Sequence, residues 1–354
     1  MQAITNFLLP SLFHSSMQES LFKGKTILIT GGTGYLGRHI TSRLLKEDPH
    51  AIRVYSRDEV KHHEIHERFN NEPRIRNFIG DVRDYDRLRK ATRDCDIVIH
   101  AAALKRLDIL EYNVEESIKT NIIGSLNVVN ACLENNVQKA ILVSTDKACS
   151  PINTYGASKF VSERIFIESN FSKGSKPTKF ICVRYGNVLE STGSVIPFFI
   201  SKIKNGDSIP LTHKDMTRFI ITGEQAVELI LDSIRYGRGG EVFIPKLPAF
   251  RIVDLIDLLK EKHKADNRIE IVGIRPGEKI HELMINESEV FRTYNYKNIY
   301  VISSHIERYG IMEKACYMQG NVPLSMESMR EYSSKDAVLP LHNLKDLLAK
   351  LGIA

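Results

Sequence analysis

Residues 30–37 read Thr30-Gly31-Gly32-Thr33-Gly34-Tyr35-Leu36-Gly37. A β-rich apolar run over 25–30 leads into them, and an amphipathic segment to residue 46 leads out. That is a strand, a glycine turn and a helix. Gly31, Gly34 and Gly37 permit, in turn, a tight turn, backbone approach to a pyrophosphate, and close packing of helix on strand. Thr33, Tyr35 and Leu36 belong to the same turn. A bare glycine pattern is weak, but here strand and helix both flank it, so the stretch predicts a dinucleotide site at the start of a parallel sheet.

The next strand, over 52–56, ends in Ser56, and Arg57 and Asp58 follow. An acid here binds a ribose hydroxyl, whereas an Arg accommodates a 2′-phosphate. Ser56-Arg57 therefore points to NADP, with Asp58 keeping NAD open. A polar helix over 61–70 carries His62, His63 and His66. His62 and His66 lie four apart, as metal ligands can, but His63-Glu64-Ile65-His66 falls one residue short of the zinc-protease spacing, so a solvated face is expected and no metal. A third strand, over 74–80, ends in Asp81-Val82, placed to meet an adenine; the alternative is a helix cap by Asp81 or Asp84. The fourth, over 96–100, ends in Ala101-Ala102-Ala103-Leu104-Lys105. Three small residues let backbone lie against a cofactor, and Lys105 projects into the cleft at the strand's carboxyl end.

A long helix is expected over 115–134, with Ile118, Ile122, Leu126 and Val129 as its apolar face. Asn121 within it reads as a hydrogen-bond hub or a water relay. A strand over 140–145, a helix over 153–169 and a strand over 179–184 complete the regular alternation. The last strand leads into Tyr185-Gly186-Asn187-Val188. Strands alternating with helices predict an α/β fold, a doubly wound parallel sheet.

Beyond residue 186 the regularity fades. Helices are expected over 194–204, 224–236, 253–262 and 343–351, with short strands or loops over 209–221 and a strand over 241–244. Arg275-Pro276-Gly277-Glu278-Lys279 reads as a loop before a short helix. The expected division is an N-terminal extension (1–22), a Rossmann domain (23–190) and a smaller, mainly substrate-binding domain (191–354). Residues from about 217 to 250 should return to the Rossmann domain.

Ser144-Thr145-Asp146-Lys147 places hydroxyls, a carboxylate and an amine at the end of the fifth strand. Tyr155 and Lys159 lie one helical turn apart on one face. A Lys beside a Tyr favours the phenolate and prepares an acid or base. That pair suits proton removal from a sugar hydroxyl during hydride loss. Oxidation does not need Asp146 and Lys147; elimination of water beside the new ketone does. The bland alternative for them is a plain ion pair.

The 354 residues carry 49 Lys and Arg against 43 Asp and Glu, a formal charge of +6. This fits an anionic small molecule better than nucleic acid, since no Lys/Arg block is present. Cys95, Cys132, Cys149, Cys182 and Cys316 lack metal spacing, so reduced thiols in a cytoplasmic protein are expected. No apolar run approaches the ~20 residues of a membrane span. Residues 1–22 read as an arm or packed extension, not a signal peptide.

Residues 30–37 with Tyr155 and Lys159 resemble the extended short-chain dehydrogenase/reductase superfamily. Further motifs narrow the likeness: Tyr55-Ser56-Arg57-Asp58-Glu59, Ile79-Gly80-Asp81-Val82-Arg83-Asp84, His100 to Lys105, Ser144 to Ala148, and Met216-Thr217-Arg218-Phe219. Together they resemble the UDP-N-acetylglucosamine 4,6-dehydratases, most closely the soluble inverting kind that starts pseudaminic acid synthesis. The likeness runs from about residue 23 to the end.

It implies that Tyr155, helped by Lys159, assists oxidation at carbon 4, with the hydride passing to NADP. Lys147 then removes the carbon-5 hydrogen while Asp146 protonates the departing carbon-6 hydroxyl. The hydride returns to carbon 6, and carbon 5 is inverted. For this Lys147 needs a lowered pKa, for which Lys105 and Lys159 are the candidate causes, and Asp146 a raised one. Thr145 would bond the sugar or close a turn. Tyr185, Asn187, Arg218 and Glu278 would bind the UDP-sugar, Arg218 through its bidentate fork, with surface ion pairing as the alternative for Arg218 and Glu278. The superfamily also implies a homo-oligomer, dimer or hexamer, through helices 115–134 and 153–169. A membrane-bound branch carries spanning helices that this chain lacks, and tends to have Met where Tyr155 stands. The rival readings are a nucleotide-sugar 4-epimerase, which needs no Asp146-Lys147 pair, and a non-enzymatic dinucleotide sensor.

Overall fold

The computed structural model describes residues 20–189, 195–304 and 315–353. Most of the extension expected over 1–22, and residue 194 of an expected helix, lie outside the described residues. Among those described, one large sheet contains β1 (Thr26–Thr30), β2 (Ala51–Ser56), β3 (Ile75–Ile79), β4 (Ile97–His100), β5 (Lys139–Val143), β6 (Lys179–Val183), β7 (Val242–Pro245), β8 (Thr293–Tyr296) and β9 (Ile299–Ile302). The spatial order is β8-β9-β7-β6-β5-β4-β1-β2-β3. β1 to β7 are parallel, while β9 and then β8 add antiparallel at one edge.

The central strands are nearly continuous apolar runs, as parallel strands covered on both faces must be. Every residue of β1 and of β4 is buried. The helix Gly223–Tyr236 packs on the helix Tyr35–Leu45 and on β5, β6 and β7. A second helical layer is formed by Tyr85–Thr92, Gly124–Glu134 and Thr154–Ser172. The order reverses between β1 and β4, so the crevice at their carboxyl ends is the ligand position of such sheets.

The long helix expected over 115–134 is interrupted. Val114–Ser117 is α-helical, Ile118–Ile123 is a π-helix, and Gly124–Glu134 is α-helical again. The wider turn holds Asn121 inward, where Oδ1 accepts from Leu104 N–H (2.8 Å) and Nδ2 donates to Leu104 O and Ser158 Oγ. This shift also turns the expected apolar face: Ile118 and Leu126 are exposed, and Val129 alone of the four is buried.

The short helix expected directly after residue 279 is displaced. Leu283–Ile285 is a strand paired with Tyr332–Ser333, and the helix begins only at Glu287. Ser334 enforces this, because its N–H donates to Glu282 O and its hydroxyl accepts from Glu282 N–H. Residues 242–245 and 293–302 both rejoin the large sheet, and the alternation pattern had signalled nothing for the second. Thr217–Ile221 pairs instead with Ala249–Arg251 and Asn187–Val188.

Candidate active site

A cavity of about 1630 Å³ lies along the carboxyl ends of the strands. At one end is the glycine turn. Gly31 has φ +69°, and a Cβ there would meet Ala102 backbone at 2.9 Å, so turn and β4 exit touch only because the side chain is missing. A Cβ on Gly37 would lie 2.3 Å from Gly32 O, which seats the helix on the turn. Gly34 caps the helix Tyr35–Leu45 without any side-chain acceptor. Its first N–H groups are therefore available to an anion. Thr33, Tyr35, Leu36, Val82, Ala101 and Ala102 line the same region. This cradle fits a dinucleotide pyrophosphate.

At the end of β2, Ser56 Oγ bonds Thr33 Oγ1 (2.9 Å) and His62 Nε2 (3.1 Å). His62 is thus buried against Ser56, contrary to the solvated face expected; its neighbour His63 is exposed. His62 Nε2 also lies 3.2 Å from Ser56 O, so the ring sits against the end of β2. Asp58 caps the helix Glu59–Arg68, accepting from Lys61 N–H at 3.2 Å, and pairs with Lys61 Nζ. Arg57 is 56% exposed and lies 3.8 Å from Asp81. Asp81 chiefly pairs with Arg83 (2.7 Å), while Asp84 caps the following helix. Arg38, which sequence reasoning missed, joins Arg57 and Lys61 on the wall. Asn121 does not line the cavity: its side chain is fully bonded to Leu104 and Ser158, so it acts as the structural hub.

The reactive groups cluster beyond β5. Thr145 caps a short 3-10 turn, Asp146–Ala148, and its hydroxyl donates to Asp146 Oδ1 at 2.9 Å. Lys147 Nζ lies 3.1 Å from Asp146 Oδ1, 3.2 Å from Glu282 Oε1 and 3.4 Å from Asn187 Oδ1. Arg218 Nε approaches Glu282 at 3.7 Å, and its Nη1 donates to Thr217 O and Ile280 O. Asp146 Oδ2 and Glu282 Oε2 are buried without a partner among the described residues. Glu282 was missed in the sequence because it lies far along the chain and outside any recognisable spacing.

The charges settle differently from expectation. Burial opposes the Lys147 ammonium, but Asp146 and Glu282 outweigh it and raise its pKa. The lowered pKa required of Lys147 is thus absent, and neither Lys105 nor Lys159 is the cation beside it; Arg218 is. Burial raises the Asp146 carboxyl, Lys147 opposes this, and Glu282 adds to it. Glu282 itself is held low, because Lys147, Arg218 and Lys279 overcome its burial.

Tyr155 is pushed up to about 12 by burial, against which Lys147 pulls it down. Burial lowers Lys159 to about 8, opposed by Glu163. Of the charges that act on the phenol, Lys147 favours the phenolate and Asp146 opposes it.

The scaffold under these groups is charged and buried. Arg184, at the end of β6, meets Glu163 at 2.7 Å and Glu289 at 3.0 Å, and donates to Met284 O. Glu163 belongs to the Tyr155 helix and also accepts from Ser144 Oγ at 2.6 Å. One triad therefore locks β5, β6, the Tyr155 helix and the helix Glu287–Val290. Asn153 caps the Tyr155 helix and donates to Gly277 O at 2.7 Å, docking the 275–279 loop. Glu278 in that loop accepts from Thr212 Oγ1. Tyr185, Asn187, Arg218, Glu278, Thr145 and Lys105 all line the cavity, Lys105 at its exposed rim.

Comparison with known proteins bears on this site. Residues 27–304 match the family described as polysaccharide biosynthesis protein. The chain is 49% identical over 291 residues to a UDP-N-acetylglucosamine 4,6-dehydratase (inverting) of Campylobacter jejuni, covering 81% of this chain and 85% of that one. It is 38% identical over 336 residues to a UDP-glucose 4-epimerase of Rickettsia bellii, covering 94% and 97%. The X-ray structure of Pen from Bacillus thuringiensis superposes with a TM-score of 0.87 at 35% identity, covering 94% of this chain and 100% of that one.

Proposed function

The chain belongs to the polysaccharide biosynthesis protein family, and from that membership we propose that it is a UDP-N-acetylglucosamine 4,6-dehydratase of the inverting type. The observation that carries this reading is Lys147, which lines the cavity with Tyr155 and lies 3.1 Å from the carboxylate of Asp146, buried directly beside it. An epimerase has no use for an acid and base beyond the tyrosine. The epimerase reading is the alternative, favoured by the Rickettsia relative's longer match.

The cofactor is a nicotinamide dinucleotide, NADP by preference over NAD. Gly31, Thr33, Gly34, Tyr35, Leu36 and Gly37 would hold the pyrophosphate, and Ser56, Arg38, Arg57 and Lys61 a 2′-phosphate. Asp58 caps a helix and pairs with Lys61, which supports the phosphate over a free ribose hydroxyl. When bound, this group takes up hydride from carbon 4 of the sugar and gives it back at carbon 6.

The chain's own residues do the proton chemistry. Tyr155 would act as the phenolate: having given up its own proton, helped by the Lys147 charge against the burial that opposes ionisation, it takes the proton of the 4-hydroxyl. The new ketone acidifies the carbon-5 hydrogen, which Lys147 removes. Asp146, buried and raised toward its neutral form, protonates the leaving 6-hydroxyl. Reprotonation of carbon 5 from the opposite face inverts it. Arg218, Asn187, Tyr185, Lys105 and Glu278 would bind the UDP-sugar in the smaller domain and at the rim, placing the substrate over Thr145 and Tyr155. The five cysteines are free, which suits a reducing cytoplasm. The likeness to the inverting dehydratases supports a role at the start of pseudaminic acid synthesis.

The test is purified protein with UDP-N-acetylglucosamine in deuterated water, followed by proton NMR. A 4-keto-6-deoxy product with deuterium at carbon 5 is expected. Interconversion of carbon-4 epimers alone would replace this reading with the epimerase.

A further inference from the structure

The dehydratase reading asks Lys147 to be a base, yet two carboxylates face its amine and favour the ammonium. Its Nζ sits between two carboxylates, Asp146 Oδ1 at 3.1 Å and Glu282 Oε1 at 3.2 Å. Glu282 is 2% exposed, lines the cavity, and leaves Oε2 without a partner among the described residues. Its backbone is pinned on both sides by Ser334. A buried carboxylate this well anchored, tied to the reactive amine and to Arg218, is more than a cap on a charge.

Building on the dehydratase reading, we propose that Glu282 is a positioning residue for the elimination: it holds Lys147 against Asp146 and keeps one proton shared between them, from which acid and base arise together. The proton moves from Lys147 Nζ to Asp146 Oδ1 along the 3.1 Å contact. That single transfer leaves a neutral amine and a protonated carboxyl. The amine takes the carbon-5 hydrogen as a proton. The C–H electron pair becomes the C5–C6 double bond, and the C6–O bond breaks. The departing oxygen takes the proton of Asp146 and leaves as water. Lys147 is again an ammonium and Asp146 a carboxylate, so the pair is restored without any external proton.

The charged groups facing this unit are Asp146 and Lys147 on the 3-10 turn, Arg218 from the strand Thr217–Ile221, and Lys279 from the docked loop; Tyr155 faces Lys147 from its helix. Against the two cations, Glu282 supplies the negative charge that keeps the shared proton in place. Without it, Arg218 and Lys279 would favour its loss.

The test uses Glu282→Gln, which keeps the shape and an oxygen acceptor, and Glu282→Asp, which keeps the charge. Lysine labelled with carbon-13 at the ε position reports the Lys147 titration, assigned by its disappearance in Lys147→Ala. In E282Q that titration should move down by about one unit or more, the scale of one lost ion-pair partner. The alkaline limb of the dehydration rate should move down with it. Dehydration should slow on the order of 10²-fold, the scale of a misplaced catalytic group, while substrate still reduces the bound cofactor. E282D should recover the limb and part of the rate. An unmoved Lys147 titration in E282Q overturns the proposal, as does dehydration at the wild-type rate. Equal loss of cofactor reduction and dehydration also overturns it, since Glu282 would then serve binding. If wild type forms no dehydrated sugar but the titration moves as stated, the dehydratase reading fails and the hold of Glu282 on Lys147 stands.

Discussion

The carbonyl oxygen of Lys147 occupies the place where a side chain on Gly156 would start: a Cβ there would lie 2.3 Å from it. The helix carrying Tyr155 and the turn carrying Lys147 are in contact through that missing atom. Gly156→Ala should separate them. Overpacking of this kind costs about 1–3 kcal/mol, and a displacement near 1 Å can cost on the order of 10²-fold in rate. Turnover should fall that far while the thermal melt stays cooperative. Wild-type turnover would show that the contact does not set the geometry.

Lys147→Ala should separate the two halves of the reaction. The absorbance of reduced cofactor should rise on adding substrate and persist, with no 6-deoxy product. Loss of a positioned base costs about 10²–10⁴ in rate. Tyr155→Phe should give little cofactor reduction, because it blocks the first step. Near-normal dehydration by K147A would remove Lys147 from its role.

Protein purified without added cofactor should carry NADP, identified by mass after extraction. Arg57→Ala should weaken NADP binding by the ~1.5–3 kcal/mol of a charge-assisted hydrogen bond, leaving NAD binding unchanged. Recovery of NAD alone from the wild type would reverse the preference.

Arg184→Met should strand Glu163 and Glu289 in the interior. Breaking a buried pair costs about 3–5 kcal/mol, readable as a lower melting temperature. Burial would raise Glu289, but Arg184 outweighs it and holds the carboxyl below its ordinary value. A depressed acid stabilises above its unfolded pKa, and that contribution is lost as pH falls through the folded pKa. The stability gap between wild type and variant should therefore be full at neutral pH and narrow below about pH 4. A gap that stays constant into acid would mean the triad is not its source.

Ile118, Ile123, Leu126, Phe160 and Val161 are exposed on two helical segments packed side by side. An apolar face of this kind suits pairing with a second copy of the chain. Light scattering at micromolar concentration should give a dimer or larger, and the double change Leu126→Glu, Val161→Glu should give the monomer. A monomeric wild type would refute the association.

Much of the fold was legible because its signals are local. The glycine turn, the apolar strands and the alternation with helices follow from neighbouring residues, so the doubly wound sheet could be read from the chain. That Asp146, Lys147 and Tyr155 lie close together was legible for the same reason, since strand end, turn and helix start are consecutive. What only the tertiary structure decided was electrostatic and long-range. Glu282 reaches Lys147 across 135 positions of chain, and Arg184 gathers Glu163 and Glu289 from opposite sides of it in sequence. The spacing around His62 gave no hint that Ser56 would bury it. Periodicity records which face of an element is apolar. Whether a lysine is base or ammonium depends on charges within a few ångströms, and those are set by which distant segments the packed sheet brings together.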